Sequence, residues 1–109
     1  MTTTYKTLFQ SAPAAATLVD AYTVPSSTST VIATILCCNR GTSSDTIRMS
    51  VAVAGAADTA KQYAYFDLPV VAKDTYHATI GITMAATDVL RVYSTSGNTV
   101  FSAFGCEVA

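Results

Sequence analysis

Apolar and polar residues alternate one by one along most of this chain, and a period of two commits it to β-strands before any other property is weighed. In Asp45-Thr-Ile-Arg-Met-Ser-Val-Ala-Val53, residues Ile47, Met49, Val51 and Val53 fall on one face and Thr46, Arg48, Ser50 and Ala52 on the other. That is the pattern of a strand with one face in a core and one in water. Turn-forming groups interrupt the alternation roughly every eight to twelve residues: Pro25-Ser-Ser, Arg40-Gly41-Thr-Ser-Ser, Gly55-Ala-Ala-Asp58, Pro69, Lys73-Asp74 and Ser96-Gly97-Asn98. Between them the pattern predicts strands at Tyr5–Gln10, Thr17–Val24, Thr30–Cys38, Asp45–Val53, Tyr63–Leu68, Thr75–Ile82, Asp88–Ser94 and Thr99–Val108. The expectation is an all-β chain, an antiparallel β-sandwich of about eight strands, jelly-roll-like or Ig-like.

Three segments refine this reading. Thr30–Cys38 is apolar on both faces, so it is expected to be covered on both sides, either centrally in a sheet or beneath a neighbouring subunit. Ala52–Gln62 is rich in alanine, but Gly55 and Asp58 interrupt it and its apolar residues draw no helical stripe; a long loop with at most one helical turn is expected. Ser11–Ala16 contains Pro13 and reads as a link, which leaves residues 1–16 as a possible N-terminal arm on a single domain of 109 residues. The expected core comprises Ile47, Met49, Val51, Val89 or Leu90, Val92, Phe104 and Ile80. The expected hairpin is at Ser96-Gly97-Asn98, between the last two strands.

Half of the residues are hydrophobic and only 12% are charged, which excludes a disordered chain and leaves few charges to solvate a monomer's surface. The net charge is −1 and the cationic residues are scattered singly, so no basic stripe is present and nucleic-acid binding is not expected. No run approaches the roughly 18 apolar residues of a spanning helix, and Met1-Thr-Thr-Thr-Tyr-Lys6 lacks the order of a signal peptide. No membrane partner is expected, and the chain reads as one made and kept in a cytosol. Cys37, Cys38 and Cys106 are odd in number and two are adjacent, which argues against a disulfide framework; with His77 the only histidine, no zinc ligand set is visible. The three thiols read as small buried hydrophobes. No metal and no cofactor are expected.

The residues that carry chemistry are sparse. A nucleophile-base-acid set would have to use His77, which alternates with Tyr76, Ala78 and Ile80 and so reads as an outward surface side chain. Asp20, Asp45, Asp58, Asp67, Asp74, Asp88 and Glu107 sit mostly at strand ends or in turns, where a carboxylate serves nearby backbone amides. The five glycines form no phosphate-cradling loop. No catalytic residue is predicted. Arg40 and Arg91 read as structural, tying loops through carboxylates such as Asp67 or Asp88. Tyr63, Tyr65 and Phe66 form the densest aromatic group, followed by Tyr93 and Phe101, and they keep a carbohydrate-binding module open as a reading from another class.

Five words in the sequence carry a resemblance: Tyr22-Thr-Val-Pro25, Cys38-Asn-Arg40, Tyr65-Phe-Asp-Leu-Pro69, Asp88-Val-Leu-Arg-Val-Tyr93 and Phe104-Gly-Cys-Glu107. In this order and spacing they resemble a recurring family of short virion structural proteins of tailed bacteriophages, over about residues 18 to 108; Met1–Ala16 departs from the pattern. The resemblance implies a β-sandwich of the virion, assembled in the host bacterial cytoplasm. Its expected station is capsid decoration or cement, with a tail, neck, baseplate or fibre component as the alternative. The partners it implies are further copies of itself, a trimer above all, and the major capsid protein or other virion proteins. The residues expected at such contacts are Tyr5, Leu8 and Phe9 of the N-terminal segment, Ile32 and Leu36 of the two-sided strand, and Tyr63 and Tyr65.

Overall fold

A computed structural model describes residues 1–109. Nine strands follow one another: β1 (Thr3–Ser11), β2 (Val19–Thr23), β3 (Ser29–Asn39), β4 (Asp45–Ala52), β5 (Tyr63–Val70), β6 (Thr75–Ala78), β7 (Ile82–Met84), β8 (Val89–Ser94) and β9 (Thr99–Val108). They form two antiparallel sheets packed face to face. One, the β9 sheet, has the order β1-β9-β3-β6, with β7 also on β3; the other, the β8 sheet, has the order β2-β8-β4-β5.

The pairs are nested. β4 pairs with β5, β3 with β6 and β7, β2 with β8, and β1 with β9, so the chain doubles back on itself and the doubled ribbon wraps from sheet to sheet. This is the jelly-roll arrangement of two Greek keys, one of the two sandwiches expected from the alternation. The ninth strand exists because the segment expected as one strand, Thr75–Ile82, divides in two. Gly81 takes a left-handed φ of 62°, and Ile80 beside it is exposed rather than in the core.

The core lies between the sheets, with Ile35 and Phe101 of the β9 sheet facing Ile47, Met49, Leu90 and Val92 of the β8 sheet, all without solvent exposure. Val89 and Leu90 are both buried, and Val51 packs half-buried against the cluster. Phe104 corrects the expectation. It is three residues from Phe101, so a regular strand cannot place both on one side; Phe101 and Ala103 take the interior and Phe104 turns outward. Val53 also leaves the core face, because the strand ends at Ala52 and Val53 enters an exposed 3-10 turn. The Ala52–Gln62 segment holds two such turns, Val53–Gly55 and Ala60–Gln62, in place of the single turn allowed.

Two further expectations change. The possible arm is strand β1, paired with β9 along its length, and Thr2 and Ala109 exchange both backbone hydrogen bonds at 2.7 and 2.8 Å. A bulge between Thr7 and Phe9 lets the consecutive Leu8 and Phe9 both turn into the core. The Ser96-Gly97-Asn98 turn forms, with Gly97 at a φ of 79°, but the strands it joins lie in opposite sheets. β8 already has β2 and β4 on its two sides, and β9 has β1 and β3, so neither has an edge to offer the other.

Candidate functional site

The two outer faces of the sandwich differ in chemistry. The strands of the β9 sheet contain only two charged residues, Lys6 and Glu107. The register places both on the inward side, at the open margin of the sandwich, where they pair at 2.9 Å. Its outer face therefore carries no charged side chain. Rows of cross-strand neighbours run over it: Tyr5, Cys106, Val31 and Thr83, then Thr7, Phe104 and Thr34, then Gln10, Ser102, Leu36 and His77. Tyr5 is 83% exposed and Val31 and Phe104 remain open to solvent at the centre of the sheet.

The outer face of the β8 sheet concentrates charge and aromatic rings. The Arg48 guanidinium lies between the rings of Phe66 and Tyr93, 4.1 and 4.6 Å from their centroids. Its Nε donates to Asp67 Oδ1 at 2.7 Å, and this bond holds the guanidinium charged to a pH above its ordinary range. Tyr63 meets Phe66 edge to face at 5.1 Å and its hydroxyl donates to Asp58 at 3.0 Å. In the next row Arg91 Nε donates to Asp20 at 2.9 Å. Asp67 is the extra residue of a bulge, because Ile47 faces Leu68 while Arg48 faces Phe66; its φ is 54°, a left-handed value at a non-glycine residue inside a strand.

At the margin between the sheets the Tyr22 hydroxyl donates to the Glu107 carboxylate and meets Thr30 Oγ1 at 2.8 Å. Burial, then the bond to Glu107, pushes the Tyr22 phenol up to about 12, and the bonds from Tyr22 and Lys6 hold Glu107 below the usual carboxylate range. Four of the five sequence words meet in pairs, at two separate places. Tyr22-Thr-Val-Pro25 meets Phe104-Gly-Cys-Glu107 through this bond, and Tyr65-Phe-Asp-Leu-Pro69 meets Asp88-Val-Leu-Arg-Val-Tyr93 across Arg48. In Cys38-Asn-Arg40, Asn39 is buried and its side-chain amide donates to the carbonyls of Ser43 and Val70.

Of the residues expected at contacts, Tyr5 and Leu36 lie on the outer face of the β9 sheet, Leu36 half-buried. Tyr63 is half-buried on the other outer face. Leu8, Phe9 and Ile32 belong to the core and are removed from any surface; the bulge turns the first two inward, and strand parity does so for Ile32. Tyr65 points inward against Tyr76, whose hydrogen bond, followed by burial, pushes it up to about 12. Arg91 pairs with a carboxylate, but with Asp20 of the neighbouring strand rather than Asp67 or Asp88. Asp67 belongs to Arg48, Asp88 accepts from the backbone amides of Ala54 and Ala85, and Arg40 is exposed without a carboxylate.

His77 faces outward opposite Leu36, on the charge-free face. Cys37 is buried, which pushes its thiol up to about 12, whereas Cys38 and Cys106 are half-buried on the outer face rather than in the core. No three His, Cys, Asp or Glu side chains converge as metal ligands. The two surface depressions, about 310 and 420 Å³, contain Lys61 as their one charged residue. The sequence reading missed the pairing of Arg48 with Asp67, although one signal was available: the inward positions Tyr65, Leu68 and Val70 slip out of period two at Phe66-Asp67. No family model, curated protein or solved structure matches the chain.

Proposed function

We propose that this chain is a non-enzymatic structural protein of a tailed-bacteriophage virion, a capsid decoration protein that assembles as a homo-oligomer through the outer face of the β9 sheet. The observation that carries the reading is that this face has no charged side chain while Tyr5, Val31 and Phe104 stand open on it. Covering it strips no ion of water, and uncharged rows meet uncharged rows when a second copy is the occupant. Its size fits the role. Four strand positions at about 4.8 Å and ten residues at about 3.3 Å give a footprint on the order of 600 Å², close to the roughly 800 Å² that each partner contributes to a stable complex.

The resemblance carried by the five words supplies the virion station and the trimeric stoichiometry. The jelly roll supports it at the level of architecture, since this fold recurs in viral capsid proteins. Quantitative mass spectrometry of purified virions tests the station. Copy numbers comparable to the major capsid protein are expected; tens of copies point to a tail, neck, baseplate or fibre component, and absence from the particle overturns the reading.

A further inference from the structure

The opposite face has features that assembly through the β9 sheet leaves unused. Phe66 is 59% exposed, yet it is not a loose side chain: a guanidinium lies 4.1 Å from its centroid and the Tyr63 ring meets it edge to face. Beside it Asp67 holds a left-handed backbone angle that glycine adopts without strain. Five other non-glycine residues of the chain share such an angle, but Asp67 alone holds it inside a strand, at a bulge, and bulges recur where a strand re-aims a side chain. Here the bulge brings the Asp67 carboxylate onto Arg48 next to the exposed ring.

The polar groups around that ring keep hydrogen-bonding capacity in reserve. Arg48 commits Nε to Asp67 and reaches Oδ2 with one terminal nitrogen at only 3.4 Å, while its other terminal nitrogen makes no hydrogen bond within the chain. A donor fork and an acceptor fork therefore stand side by side against an aromatic face. The strand charges of this face are balanced, Arg48 by Asp67 and Arg91 by Asp20, and Asp58 at the Tyr63 hydroxyl adds an acidic group at its rim. An anionic ligand would have to displace a carboxylate, and a protein partner would have to desolvate both ion pairs.

We propose that the outer face of the β8 sheet is a binding site for neutral carbohydrate, with a sugar ring stacked on Phe66 and its hydroxyls hydrogen-bonded to Asp67 and Arg48. A pyranose suits this arrangement because one side of its ring presents C–H groups to an aromatic surface while adjacent hydroxyls present paired donors and acceptors at the rim. The site goes beyond the virion reading and stands independently of it.

The test is a printed array of bacterial surface polysaccharides, neutral and anionic, probed with the whole chain, followed by calorimetric titration of the neutral saccharides that bind. Phe66→Ala is expected to weaken that binding at least tenfold, and Asp67→Gly to weaken it equally while leaving the melting temperature unchanged or higher, because glycine relieves the left-handed strain. Failure of the wild type to bind any saccharide overturns the proposal, as does binding restricted to anionic saccharides or binding that both variants retain. Virion copy number is read separately, so either proposal falls without the other.

Discussion

The carboxylate of Asp45 accepts a hydrogen bond from the Thr99 hydroxyl at 2.6 Å, joining the first residue of β4 to the first residue of β9 across the two sheets and 54 positions of sequence. The same carboxylate takes the Ser94 hydroxyl and the backbone amides of Thr46 and Ser96. It is 3% exposed, so a charge is buried at the corner where β8 crosses to β9, and four donors compensate it.

Burial raises the Asp45 carboxyl's affinity for a proton, but the bonds from Ser94, Thr99 and Ser96 outweigh it and hold the group below the ordinary carboxylate range. A depressed folded-state value means that Asp45 stabilises the fold fully above about pH 4, the unfolded value, and loses that contribution as acid carries the pH down through the folded value. Asp45→Asn is expected to cost about 1–3 kcal/mol at pH 7, because an amide places N–H against donors. The gap between variant and wild type should narrow toward pH 3 in urea denaturation series at the two pH values.

Removal of residues 2–10 takes away Leu8 and Phe9 from the core and strips β9 of its outer partner. Each buried side chain lost costs about 2–5 kcal/mol, which together approaches the roughly 5–15 kcal/mol of a whole domain. The truncated chain is expected to lose its cooperative thermal transition by circular dichroism. A projecting arm would instead have left that transition in place.

Gly105 lies against the backbone of β3: a Cβ built there would meet the Val31 carbonyl oxygen at 2.0 Å. Backbone cannot yield as a side-chain tip does, so Gly105→Ala is expected to destabilise by at least about 1–3 kcal/mol. A residue three positions earlier provides the control: Ser102→Ala, half-buried on the outer face of the same strand, is expected to change stability by less than about 0.5 kcal/mol. The denaturation midpoints of the two variants measure the contrast.

Phe104→Glu places a charge at the centre of the uncharged outer face while leaving the core untouched. The variant is expected to keep the wild-type melting behaviour as a monomer, whereas the wild type sediments and scatters light as an oligomer at micromolar concentration. A wild-type chain that is monomeric at 11.4 kDa in native mass spectrometry removes the subunit contact.

Much of the sandwich was legible because period two survives wherever a strand is regular. β3, β4, β8 and β9 lie within about two residues of the predicted limits, in line with the usual uncertainty of strand ends. The departures occur where the period slips. Bulges at Thr7/Phe9 and at Asp67 shift which residues face inward, and both altered the reading of functional positions, burying Leu8 and Phe9 and exposing the Arg48 pair. Long-range partners were not legible either. Asp20 lies 71 positions from Arg91, and no local pattern distinguishes it from Asp67 or Asp88 as a partner. The Phe101-versus-Phe104 choice depends on which phase fits the opposite sheet, a property of packing rather than of the strand itself.

The placement of β9 also governs when the fold can form. It is the ninth strand in chain order, yet it is hydrogen-bonded on both sides, to β1 and to β3. While a ribosome is still elongating toward Thr99, β1 and β3 therefore have no common partner, and the place that Phe101 fills between the sheets stands empty. Closure of the β9 sheet therefore waits for β9 itself and is dominated by loop closure over most of these nine strands, which makes it slow relative to domains built from local contacts. Until it closes, the jelly roll exposes open strand edges, the form most prone to pairing with another copy before β9 arrives.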